Sequence, residues 1–310
     1  MKLAYLIAAH TDPEHLKRLV SALHSDADYY IHVDAKSDIR PFKELVAFPY
    51  VHFIRKRIDV EWGNLSEVKY QMALVKACLD SGINYDYIFF LSGLDYPLWS
   101  NESITAFLEK KPGFNYIQGM NLNEAGHPGY EVSRPPLDWL HISDRQLKMR
   151  VRKLFRLGLE AVGYRKKLTF TTPRKTFELY KGSAWWCITS ELASYVLTRY
   201  TSVPEIGRYF HDAFCPAETL IQTVAFNSRF KDRCILSHSC PEGLRSLTPL
   251  HYIHYAGSIR IFTEKDYTEL MDSGKMFARK LVTGRSDKLM DLIDAHRAED
   301  KGEKTLTFTP

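Results

Sequence analysis

The sequence predicts an α/β fold, a mostly parallel central sheet with helices on both faces. Three observations predict it. Short apolar runs alternate with helical patterns along the first half of the chain. The run Tyr87–Leu91 is almost continuously apolar, as befits a central parallel strand covered on both faces. Polar residues gather where the runs end, at Asp34 and at Ser92-Gly-Leu-Asp95, the side on which such sheets bind ligands.

The elements follow in order. Leu3–Ala9 reads as the first buried strand. Thr11-Asp-Pro-Glu14 then supplies an N-cap and a Pro at the first helical position, opening a helix to about His24. Tyr29–Asp34 is a second strand, Pro41–Val46 a short helix and Val51–Ile54 a third strand. Asp59-Val-Glu-Trp-Gly63 leads into Asn64–Leu79, whose Leu65, Val68, Met72, Val75 and Leu79 recur at helical spacing. Beyond Tyr87–Leu91 the pattern loosens. Asn121–Leu140, rich in Gly, Pro and polar residues, reads as a long functional loop. Asp144–Val162 reads as a basic amphipathic helix with Leu147, Val151, Leu154, Phe155, Leu157 and Val162 on its apolar side. A strand near Trp185–Ile188 and helices over Ser190–Tyr200 and Pro216–Phe226 complete the reading. The chain, 310 residues long, fits one domain over residues 1–298 with a flexible tail over 299–310.

Composition narrows the partners. The formal charge is only +5, but residues 145–175 carry eleven Lys and Arg against Glu160 alone, a local +10 on an otherwise acidic chain. Such a patch implies an anionic partner at one place and excludes a general nucleic-acid binder. The basic helix suits an anionic membrane surface; a solvated helix packed on the domain, or a patch that draws in an anionic substrate, would use the same residues. Five cysteines without a C-x-x-C fit reduced, buried thiols. The first apolar run is too short for a signal peptide or a spanning helix, which points to a cytoplasmic protein, with peripheral contact at the inner face of the membrane as an option. There is no G-x-G-x-x-G and no G-x-x-x-x-G-K-[ST].

Six segments, in order, resemble the core-2/I-branching β-1,6-N-acetylglucosaminyltransferase family, which includes peptide xylosyltransferases. They are Ile31-His-Val-Asp34, Trp62-Gly-Asn-Leu-Ser-Glu-Val68, Phe90-Leu-Ser-Gly-Leu-Asp-Tyr-Pro97, Gly182-Ser-Ala-Trp-Trp186, Cys215-Pro-Ala-Glu218, and Leu270–Lys280 ending Met-Phe-Ala-Arg-Lys. The resemblance implies a GT-A type nucleotide-sugar-binding fold and inverting transfer without a metal. A sugar, most simply N-acetylglucosamine, would pass from a UDP-sugar to a hydroxyl of a glycan or lipid-linked glycan, here a bacterial surface-glycan precursor. No cofactor and no nucleic acid would be involved. Xylose is the alternative sugar, and a carbohydrate- or nucleotide-binding protein without turnover is the alternative class.

The resemblance also assigns residues. Glu218 would be the general base, in the first turn of its helix where the dipole favours a carboxylate; the same position also suits a purely structural helix-terminal acid. Lys280 with Arg279, and an Arg for which Arg260 is the nearest candidate, would meet the charge on the leaving diphosphate. Asp34 would contact the uracil or ribose, Asp95 the donor sugar or acceptor, and Trp62 would form a wall of the pocket. Two positions depart from the family's Ser-Pro-Asp-Glu, Cys215 and Ala217, while the acid is kept. Many transferases with this sheet hold a divalent cation on Asp-x-Asp, and the sole such triplet, Asp26-Ala-Asp28, lies at the wrong end of the sheet and reads as a solvated turn. Asp212 is a reserve base. If Trp185 and Trp186 lie on a strand they point to opposite faces, so one at most reaches a sugar.

Overall fold

The computed structural model describes residues 1–125, 144–164, 166–238, 247–256, 258–300 and 306. Strands β1 (Leu3–Ala9), β2 (Asp28–Val33), β3 (Val51–Phe53) and β4 (Tyr87–Ser92) pair in parallel. With β10 (Trp186–Thr189), antiparallel to β4, they form a five-stranded sheet of order β10-β4-β1-β2-β3. Two three-stranded sheets flank it. One joins β6 (Gln118–Asn121) to β9 (Tyr180–Lys181) and β11 (Ile235–Ser237); the other joins β5 (Asp95–Pro97) to β15 (Phe277–Arg279) and β12 (His251–Ile253). The small hairpins β7 (Thr169–Thr171)–β8 (Thr176–Glu178) and β13 (Tyr255–Ala256)–β14 (Ser258–Ile259) lie apart from these sheets.

Side-chain alternation along the strands builds a core on each face of the main sheet. Ala4, Leu6, Tyr30, Ile88, Phe90 and Trp186 face one cluster, which α3 (Ser66–Leu79), α6 (Ser190–Ser202), α7 (Pro204–Phe210) and α8 (Leu220–Phe226) cover. Tyr5, Ile7, Tyr29, Ile31, Phe89 and Leu91 face the other, covered by α1 (Pro13–Ala22), α2 (Arg40–Leu45), α4 (Asn101–Glu109), α9 (Tyr267–Met271) and α10 (Asp287–Glu299). Tyr5, fully buried, stacks on Tyr29 and Phe89 with centroids 5.2 and 4.9 Å apart. Helices α1, α2, α3 and α6 start within two residues of where the sequence placed them. Asp12 adopts φ 57°, caps α1 by accepting from the His15 amide at 3.0 Å, and also accepts from the Thr283 amide and hydroxyl. One residue thus ends β1, opens α1 and ties down the chain beyond β15.

Several expectations change in detail. The segment Pro216–Phe226 is not one helix: Pro216–Glu218 is a 3₁₀ turn and α8 begins at Leu220. Asp28 is not solvated but buried, held by the Lys2 ammonium at 3.0 Å and the Tyr85 hydroxyl at 3.0 Å at the amino end of β2. Leu306, within the segment expected to be a flexible tail, is buried in the second cluster. Cys78, Cys187, Cys215 and Cys234 are buried and in no disulfide; Cys240 and residues 126–143, most of the expected functional loop, lie outside the described residues.

The basic helix exists as α5 (Arg145–Ala161), but it is turned round. The packed amphipathic reading would bury its apolar side. Instead Arg152, 8% exposed, faces inward and pairs with Glu61 at 3.3 Å, while Leu147, Leu154, Phe155 and Leu157 face solvent.

Candidate functional site

The site grows from the carboxyl ends of β1, β2 and β4. At the end of β4 the chain turns back on itself through Gly93, where a Cβ would stand 3.0 Å from that of Ala9. The turn delivers Asp95 into β5, and the antiparallel register of β5 on β15 sets Arg279 directly opposite it. Asp95 is fully buried. Its Oδ2 accepts from the Ser92 amide (2.7 Å), the Trp185 indole (3.1 Å) and His251 Nε2 (3.0 Å), and its Oδ1 accepts from Arg279 (3.0 Å). Burial pushes the Asp95 carboxyl up, but His251, Arg279 and the Ser92 amide outweigh it and hold it below the usual carboxylate range. Burial dominates the other way for His251 and keeps its imidazole below its ordinary value. The Arg279 guanidinium lies over the Trp185 ring, 5.1 Å from its centroid. Trp186, by contrast, is wholly buried and stacks on Phe90. The two tryptophans therefore divide as alternation requires.

Next to this cluster stand the groups after β1 and β2. His10 is exposed, yet partial desolvation together with the positive fields of Arg279, Lys280 and Lys36 depresses its pKa against the pull of Asp34. Asp34, 8% exposed, accepts from the Lys36 amide at 2.9 Å and pairs with its ammonium at 3.2 Å. His10, Asp34, Arg279 and Lys280 thus share one electrostatic neighbourhood. Arg279 Nε is buried without a hydrogen-bond partner among the described residues. Lys280 is half-buried, and no ion pair to it is found among them. Arg260 contributes its backbone here, accepting from the Lys280 amide at 3.3 Å, but its guanidinium turns to Asp266 and Glu269.

The wall and the acid come from the loop before α3 and the turn before α8. Gly63 at φ 73° lets the loop fold over, its amide donating to Glu67 Oε2 at 2.8 Å. The Gly63 carbonyl accepts from the Cys215 amide at 3.1 Å, which seats the Cys215-Pro-Ala-Glu218 turn against the loop. Trp62 is 57% exposed and meets Phe214 edge-on at 5.5 Å, so it is a surface wall and not core. Glu218, one-third exposed, takes a hydrogen bond from the Lys181 ammonium at 2.6 Å on Oε2. No described residue donates to its Oε1. Lys181 is almost fully buried, and this direct cation replaces the helix dipole as the field on Glu218, since α8 starts two residues later. The Glu218 carbonyl also accepts from the Gly182 amide at 2.9 Å.

Residues 181–185 therefore connect the two halves of the site. Lys181 and Gly182 hold Glu218; Trp185 holds Asp95 beneath Arg279. Gly182 is required for it: a Cβ there would fall 1.9 Å from the Gln118 carbonyl oxygen. Lys181 was missed by sequence reasoning, although it directly precedes Gly182-Ser-Ala-Trp-Trp186. His10 and His251 were likewise not chosen as site residues. Asp212, the reserve acid, forms its own pair with Lys166. Among the described residues no three His, Cys, Asp or Glu side chains converge as metal ligands.

Residues 3–127 match the family described as Core-2/I-Branching enzyme. Xylosyltransferase 2 of Rattus norvegicus is 24% identical over 313 residues, 96% of this chain and 34% of the relative. Xylosyltransferase oxt of Drosophila melanogaster is 33% identical over 106 residues, 33% of this chain and 12% of the relative. A β-1,3-galactosyl-O-glycosyl-glycoprotein β-1,6-N-acetylglucosaminyltransferase 4 of Danio rerio is 23% identical over 303 residues, 90% of this chain and 65% of the relative. The chain spans about a third of the length of the xylosyltransferases it matches over most of its own length.

Proposed function

We propose, from the match of residues 3–127 to the Core-2/I-Branching enzyme family, that the chain is an inverting glycosyltransferase using a UDP-sugar and an acceptor hydroxyl of a glycan, free or lipid-linked. The acceptor oxygen attacks the anomeric carbon as its proton passes to Glu218 Oε1, the oxygen left open by Lys181. The bond from the anomeric carbon to the diphosphate breaks on the opposite side, and UDP leaves with the electron pair. Arg279 and Lys280 meet that charge. Asp34 accepts from the ribose hydroxyls or the uracil, and Trp62 flanks the sugar.

The observation that carries this reading is the buried, partnerless Nε–H of Arg279 beside Lys280. A buried donor left without an acceptor costs about 1–3 kcal/mol, a cost an anionic donor substrate removes. The same two cations are the reason to propose a metal-independent reaction: they supply the counter-charge that a divalent ion supplies elsewhere. UDP-N-acetylglucosamine and UDP-xylose are both candidate donors, each supported by relatives that cover nine-tenths or more of the chain. The test is UDP release from a panel of UDP-sugars in EDTA. We expect one of these two donors to turn over at full rate. Activity that vanishes in EDTA and returns with manganese would refute the metal-free mechanism, and release from no donor would favour a binding protein.

A further inference from the structure

We propose that the outward face of α5 docks this protein onto an anionic lipid surface. A surface helix normally buries its apolar stripe; α5 leaves most of its stripe exposed. Leu147 is 51% exposed and Leu154 68%, with Phe155 and Leu157 close to half, and Val162 just beyond the helix is 79% exposed. Placed at 100° per residue, Leu147, Leu154, Phe155, Leu157 and Val162 fall on one side of the helix. Arg150, on the same side as the stripe, and Lys153, on its flank, are both exposed, with no acidic partner among the described residues. Arg152 on the opposite side fastens the helix to Glu61, next to Trp62 at the rim of the site.

Charge decides what covers the stripe. Residues 145–175 carry a net +10, so a second copy presenting the same face would meet strong like-charge repulsion. A bilayer containing anionic lipid offers both things the face needs, an apolar layer for the leucines and Phe155 and negative headgroups for Arg150 and Lys153. No described helix is long and apolar enough to cross a membrane, so the contact is peripheral. It would set the Trp62 rim close to the headgroups, where a lipid-linked acceptor presents its glycan. The docking itself does not depend on which sugar is transferred.

The test is co-sedimentation of the full chain with vesicles of phosphatidylcholine alone, or of equal parts phosphatidylcholine and phosphatidylglycerol. The full chain is expected to bind the anionic vesicles, to bind neutral ones far less, and to be released as salt is raised. Leu154→Glu/Phe155→Glu is expected to weaken binding more than about tenfold, while UDP release with a soluble acceptor stays at the wild-type rate. Arg150→Glu/Lys153→Glu, which leaves the apolar stripe intact, is expected to weaken binding as well. Equal sedimentation of the wild type and both variants, or no binding to anionic vesicles, overturns the proposal. So does a dimer of the wild type that either variant dissociates, because a second copy would then own the face.

Discussion

Asp95 has no contact with water and takes four donors in its place, from Ser92, Trp185, His251 and Arg279. Full satisfaction makes a buried carboxylate tolerable; removing its charge strands the partners. Asp95→Asn keeps the shape and loses the charge opposite Arg279. We expect it to lower stability by about 3 kcal/mol, read as a reduced urea midpoint, and to weaken UDP binding because the guanidinium loses its anchor. A variant with wild-type stability and affinity would show that Asp95 is not the organiser of the cluster. At this scale the sequence was partly legible. Glu218, Asp34 and Asp95 stand out as acids at element ends, but their partners come from positions far away in the chain, His251 and Arg279 for Asp95 and Lys181 for Glu218. The side-chain partner of Arg260, by contrast, is Asp266, six residues away.

At the scale of elements, the long strands β1, β2 and β4 were readable from their apolar runs, α3 from its apolar period, and α1 from its period together with the Asp12 cap. The two flanking sheets were not, because their strands run two to four residues and carry no period to count. Yet those short strands place the chemistry. Register of β5 on β15 puts Arg279 against Asp95, and β9 against β6 puts Lys181 where Glu218 can reach it. The orientation of α5 was also beyond the pattern, since periodicity reports that a helix is two-faced and not which face turns inward. Gly182→Ala tests the role of the connecting segment. Its methyl would meet the Gln118 carbonyl at a distance no real contact tolerates, so the backbone of 181–185 must move. We expect a loss of about 2 kcal/mol or more in stability and a larger loss of turnover, measured on protein still folded by circular dichroism. Unchanged turnover would mean that Lys181 and Trp185 need not be held in register.

Across the whole molecule, burial governs how the protein responds to pH. His10, His15, His24, His32 and His251 all titrate below their ordinary value, each chiefly because burial disfavours the imidazolium. His32 is pushed down to about 4, its Nε2 accepting from the Ile58 amide at 2.8 Å. The unfolded chain therefore takes up protons first as pH falls. Stability should be at its full value above pH 6.5 and decline below it, with His32 alone accounting for about 2 kcal/mol by pH 5. Urea midpoints at pH 7 and pH 5 check this. His32→Gln, which keeps an acceptor, should show a smaller drop between the two, and an equal drop would remove His32 from the account. Two cores on opposite faces of one sheet carry the site on its rim, and the basic charge lies to one side of it.

The proposed transfer turns on Glu218 as its base, with Oε2 held by Lys181 and Oε1 open among the described residues. The most direct measurement is the turnover of Glu218→Gln, with donor affinity measured in parallel. A fall in kcat of about 10²- to 10⁴-fold is expected, with UDP-sugar affinity within a few-fold of wild type, since among the described residues no contact joins Glu218 to the Asp95–Arg279 cluster proposed to meet the diphosphate. A Glu218→Gln protein that turns over at the wild-type rate would contradict the proposal.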